Sequence, residues 1–112
     1  MNETEIARFE QRIRARLEQI DTEDRLGAGG QAVVQLDQQS VGRLSRMDAL
    51  QNQAMAKAQQ ARRDAQRRRL EGALRRIEAG EYGWCDGCGE DLPPARLELD
   101  PAAALCVSCA SG

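Results

Sequence analysis

The spacing of the four cysteines limits what this chain can become more than any other feature. Cys85 and Cys88 are separated by two residues, as are Cys106 and Cys109, and seventeen residues lie between the pairs. This C-x2-C-x17-C-x2-C arrangement falls in the range of a four-thiolate zinc site, in which each short pair supplies two corners of a tetrahedron. Gly87 and Gly89 permit the tight turn that aims both sulfurs inward. The chain needs such a staple, because 112 residues with only Phe9, Tyr82 and Trp84 as aromatics cannot build a large core. Two other uses of the cysteines fit worse. A redox pair calls for one CxxC opening a helix within a βαβ pattern, and no such pattern is present. Structural disulfides are disfavoured in the reducing cytoplasm, where the chain is expected: it has no apolar run of membrane-spanning length and an acidic, amphipathic start unlike a signal peptide. The reading is one structural Zn2+. Four thiolates close its coordination sphere, so the metal stabilises and does no chemistry.

Upstream of the cysteines the pattern is helical. Ile6, Phe9, Ile13, Leu17 and Ile20 recur at spacings of three and four, which predicts an amphipathic helix over about 3–25, with "GAGG" at 27–30 ending it. Residues 26–44 read as a connecting loop, the tip of the hairpin. "SRMD" then places Ser45 as a cap with Asp48 three residues later, and a second helix is predicted over 45–79. Along it Leu50, Ala54, Ala58, Ala61 and Ala65 form one line, predicted to be the seam against the first helix. Leu70, Leu74 and Ile77 fall on nearly the opposite face and are predicted to meet the cysteine head. Asp100-Pro101 reads as the start of a short helix carrying Cys106 and Cys109 one turn apart. The fold class is therefore all-α: an antiparallel helical hairpin over 1–79 and a small four-cysteine zinc-finger head over 80–112.

Charge narrows the function. The chain has no histidine, which removes histidine-based acid–base and nucleophilic catalysis, and its carboxylates sit at helix-surface spacings, so it is read as no enzyme. A net charge of −2 conceals five basic and eight acidic groups in 1–42, ten and three in 43–76, and one and seven in 77–112. The acidic cysteine end disfavours nucleic-acid binding there, and interleaved aromatics for base stacking are missing. The basic run in the middle is either a solvated face or a docking surface for an acidic partner, with Arg62, Arg63, Arg67, Arg68 and Arg69 as the docking candidates.

The joint "RRIEAGEYGWC" followed by "RLELDPAAALCVSC", covering Arg75 to Cys109, resembles the DksA/TraR family of bacterial transcription regulators, and the hairpin matches that family in architecture. The resemblance implies binding to RNA polymerase without direct DNA binding, and the lack of an apolar span argues against a membrane partner. It implies a coiled coil inserted in the polymerase secondary channel, an acidic tip near the active centre, and altered lifetime of promoter complexes. The family's tip motif has the form Asp-x-x-Asp-x-Ala; here Ser45-Arg-Met-Asp48-Ala49 keeps the second acid, has Ser for the first, and carries the Ala one place early. Asp37 in the connecting loop is the other candidate acid. Some members bind ppGpp jointly with polymerase through basic residues before the head's proline and after the last cysteine. Asp100 and Ala110 stand at those positions, which counts against a ppGpp site, although Arg69 matches a third basic position. The competing reading is a zinc-headed coiled-coil adaptor that never enters the channel.

Overall fold

In a computed structural model, described over residues 1–37 and 43–111, the chain forms α1 (Glu3–Asp37), α2 (Arg43–Ala79), α3 (Pro94–Leu99) and α4 (Val107–Ser111). Among the described residues the only extended pairing is an isolated antiparallel bridge between Trp84 and Asp91. The fold is the all-α helical hairpin with a small four-cysteine head that the patterning predicts. No described helix is long and apolar enough to cross a membrane.

The chain divides into two compact units, and the division does not follow the boundary expected at residue 79. One unit combines Met1–Leu17 with Arg67–Gly112. Its core contains Phe9 and Ile13 of α1, Leu70 and Ala73 of α2, and Tyr82, Leu92 and Leu97 beyond them, all buried. The Phe9 and Tyr82 rings sit 6.1 Å apart at a tilt of 51°, an arrangement that suits their quadrupoles. The Tyr82 hydroxyl donates to the Pro101 carbonyl at 2.7 Å, and burial pushes its pKa up to about 12. Arg8 pairs with the Glu98 carboxylate. Arg12 donates to the same carboxylate at 3.1 Å and to the Glu98 carbonyl at 2.8 Å. The start of α1 is therefore part of the head's core, a role the sequence reading reserved for Leu70, Leu74 and Ile77. Of those three Leu70 is buried, and Leu74 and Ile77 are half-buried.

The second unit is Glu18–Gln66, and here two expectations fail. Glycine at 27–30 does not end the first helix, which continues to Asp37. A Cβ at Gly27 would lie 2.9 Å from Arg63 Nη2, so this glycine makes room for a guanidinium and caps nothing. The α2 seam is also misplaced. Leu50, Ala54, Ala58, Ala61 and Ala65 are exposed, whereas Ala49, Gln53, Ala56, Gln60 and Arg63 are half-buried. Gln60 and Arg63 make this inward line partly polar, and Asp24 of α1 and Asp64 take up most of their hydrogen bonds. Arg63 Nε donates to Asp24 at 2.7 Å, Gln60 donates to Asp24 and Asp64 at 3.0 Å each, and Arg63 Nη2 donates to Gln60 at 2.9 Å. Hydrogen bonding on this scale is what makes a polar seam tolerable in place of an apolar one. Ser45 is not a cap either, because α2 has already begun at Arg43. Most of the predicted connecting loop is helical, and residues 38–42 lie outside the described residues.

Candidate metal centre

The first cysteine pair is shaped by backbone hydrogen bonds around a tight turn. Cys85 N–H donates to the Glu90 carbonyl at 2.8 Å, and Gly89 N–H returns to the Cys85 carbonyl at 2.9 Å. Gly89 adopts a φ of +77°, a left-handed conformation that side chains other than glycine resist. At Gly87 a Cβ would lie 3.0 Å from Cys109 Sγ, so glycine is what lets the two cysteine pairs close on each other. Asp86 N–H donates to the Ala104 carbonyl at 2.8 Å, tying the two segments together.

The second pair departs from expectation in detail. Asp100-Pro101 opens a turn, with Ala102 N–H donating to Asp100 Oδ1 at 3.2 Å and Ala103 N–H to the Asp100 carbonyl at 3.0 Å. The short helix begins only at Val107, so Cys106 precedes α4 and Cys109 lies within it. Cys106 takes the place of a cap: its sulfur accepts from Cys109 N–H at 3.4 Å, and its carbonyl accepts from Ala110 N–H at 2.9 Å. Sequence reading did not identify α3. Its signal was Pro93-Pro94, with proline pre-set for a first helical turn.

The four sulfurs lie within 4.8 Å of one another. Cys88 and Cys106 Sγ are 3.8 Å apart, which is about the tetrahedral edge expected for Zn–S bonds of about 2.3 Å. The electrostatics call for a cation. Amides of Cys106, Cys88 and Gly87 favour the Cys85 thiolate and lower its pKa to about 6. Cys109, crowded by the sulfurs of Cys106, Cys85 and Cys88, is pushed up to about 12. The Cys85 thiolate is thus easy to form and that of Cys109 is not, unless a divalent ion compensates the charge. The donor set and its turn geometry fit zinc, which when bound would crosslink the two segments.

The remaining candidates lie elsewhere. Ser45 and Asp48 are exposed in the first turns of α2 and Ala49 is half-buried beside them. Asp37 ends α1, and its side chain lies outside the described residues. Arg62, Arg68 and Arg69 are exposed, Arg67 is half-buried, and Arg63 is turned inward to Asp24. Arg69 also pairs with Asp100 at 2.5 Å.

The profile of the prokaryotic dksA/traR C4-type zinc finger matches residues 80–112. The RNA polymerase-binding transcription factor DksA of Caulobacter vibrioides is 31% identical over 110 residues, covering 96% of this chain and 74% of that protein. This chain belongs to the DksA/TraR family. The DksA of Escherichia coli K12 is 26% identical over 113 residues, covering 97% of this chain and 71% of its own. In fold, the chain is similar to transcription factor DksA2 of Pseudomonas aeruginosa with a TM-score of 0.86 at 20% identity, across 99% of this chain and 84% of that one. The centre built by Cys85, Cys88, Cys106 and Cys109 is accordingly a DksA/TraR C4 finger for a structural zinc ion. Its packing extends beyond the matched segment to Phe9 and Ile13 of α1.

Proposed function

We propose that this chain is an RNA polymerase-binding transcription regulator that acts through the secondary channel and alters the lifetime of promoter complexes. The observation that carries this reading is the reach of the similarity: a factor named for binding RNA polymerase aligns with 96% of this chain, helices as well as finger. Asp48 is the acid assigned to the active centre. It is exposed and forms no ion pair among the described residues, so its charge is available to a partner. Ser45 and Ala49 flank it in the tip assignment, and Asp37 is the alternative acid. Docking is assigned to Arg62 and Arg68, with Arg67 and Arg69 alongside. Arg63 leaves the docking set, because Asp24 already holds it at 2.7 Å. No role is assigned to ppGpp, since Asp100 and Ala110 stand where two of the three cations would be needed. The regulator touches no DNA directly and catalyses nothing itself, in keeping with an acidic finger and a closed thiolate site.

The test separates binding from effect. Core polymerase subunits should be recovered with the tagged chain from native lysate. Asp48→Asn keeps the size and hydrogen-bonding capacity of the side chain but removes its charge. It should retain polymerase binding while losing most of the effect on promoter-complex lifetime. Failure to recover polymerase would refute the reading as a whole; full activity of both Asp48→Asn and Asp37→Asn would refute the tip mechanism.

A further inference from the structure

Trp84 is the sole tryptophan, and its side chain is held out of the core at 46% exposure although its neighbour Cys85 is buried. The cause is the isolated bridge to Asp91, flanked by hydrogen bonds from Leu92 N–H to the Gly83 carbonyl and from Cys85 N–H to the Glu90 carbonyl, 2.8 Å each. Residues directly opposite in an antiparallel pair project to the same face, so the indole and the Asp91 carboxylate stand side by side. Neither takes part in an ion pair or ring contact among the described residues. Beside them opens a cleft of about 280 Å³. Met1, Ile6, Ile77, Leu92 and Pro94 give it an apolar lining, and Glu5 joins Asp91 as its acidic component.

These features select a ligand class. Small-molecule pockets run from roughly 300 to 1,000 Å³, so this cleft suits one or two side chains. An indole face attracts a cation, and a guanidinium can stack on it while its planar fork reaches a carboxylate. The apolar lining calls for an aliphatic neighbour to that cation. Glu5 and Asp91 give the cleft a local negative charge, which favours a basic partner over nucleic acid. We infer that the cleft at Trp84 and Asp91 is a docking site for a protein segment presenting an arginine next to an apolar side chain. This inference goes beyond the polymerase reading and does not depend on it. The zinc turn that begins at Cys85 fixes the backbone beneath the indole, so the site is preorganised.

Because Trp84 is the only tryptophan, its emission reports the site in the zinc-loaded full chain. The probe is the peptide acetyl-Leu-Arg-Leu-amide, compared with its citrulline counterpart, which keeps the shape and removes the charge. The arginine peptide should shift Trp84 emission saturably, and citrulline should weaken binding by about tenfold. Asp91→Asn, checked for unchanged helix and zinc content, should weaken it by about fivefold. Equal response to both peptides, or no saturable response at millimolar peptide, overturns the inference. So does an emission shift that follows protein concentration alone together with dimers in sedimentation, which would make a second copy's Arg-rich α2 the occupant.

Discussion

Truncating Phe9 tests whether the start of α1 is built into the zinc-finger unit. Phe9 is 1% exposed, its ring lies against Tyr82 at 6.1 Å, and the Arg8 and Arg12 guanidiniums lie 4.7 and 5.7 Å from its centroid. Phe9→Ala removes the largest fully buried side chain of this core and leaves a cavity that Tyr82 cannot fill while its hydroxyl holds Pro101. A buried phenylalanine replaced by alanine costs about 3–5 kcal/mol, a large share of the roughly 5–15 kcal/mol that stabilises a domain. With a urea dependence of about 2 kcal/mol per molar, a loss of about 4 kcal/mol moves the midpoint down by about 2 M. The assay is urea unfolding of the zinc-loaded chain followed by Trp84 emission, which reports the unit containing Phe9, with helical circular dichroism recorded in parallel. Phe9→Leu should fall much closer to wild type. A midpoint shift below about 0.5 M for Phe9→Ala would mean that α1 rests on the finger without being part of its core.

Other consequences are open to direct measurement. The native chain should bind one equivalent of zinc, and Cys85→Ser or Cys106→Ser should release it and collapse proton-NMR dispersion from residues 81–111 while most helical signal persists; well under one equivalent in the native chain would contradict the centre. Hydrogen bonding to Arg8, and then the charges of Arg8 and Arg12, hold the Glu98 carboxyl below its usual pKa. Its stabilising contribution is therefore present above the unfolded glutamate value of about 4.3 and lost as pH falls through the lower folded value. Carboxyl NMR should place the Glu98 midpoint below that of an unfolded glutamate, and Glu98→Gln should flatten this part of the acid transition. With Arg63 only 13% and Asp24 25% exposed, Asp24→Ala should cost about 1–3 kcal/mol by stranding the guanidinium. Asp24→Leu combined with Arg63→Leu should recover most of that loss in urea unfolding, and a double variant as unstable as the single would count against the buried pair.

How much of this was legible in the sequence depended on the physics behind each signal. The zinc ligands were readable because thiolate geometry imposes its own spacing, whatever the surrounding fold. The end of α2 was readable too, since Gly80 takes a φ of +75° just after Ala79, as a helix-terminating glycine does. The same residue type misled at Gly27, where glycine serves a close approach by Arg63 and the signal for that is a partner 36 positions away in the chain. The seam of α2 was misread for a related reason. Periodicity arguments place apolar residues inward, yet Leu50 is 53% exposed while Gln60 and Arg63 face in. Only pairing with Asp24 makes that polar line stable, and no local pattern in α2 announces it. The role of α1 in the finger was missed because Phe9 and Tyr82 meet across 73 positions.

Asp24 and Gly27 lie on one face of α1, almost one turn apart, and together they receive a single arginine. They act as a notch and a latch for α2. Sliding α2 along α1 by seven residues, about 10 Å, would carry the guanidinium past its carboxylate and past the gap that admits it. Ala49, Gln53 and Ala56 are too small or too adaptable to choose among such alignments, so the choice falls to Arg63. A wholly leucine seam would bind more tightly but would accept several alignments at similar energy. The hairpin is thereby indexed like a ruler, with Asp48 at a fixed mark relative to α1.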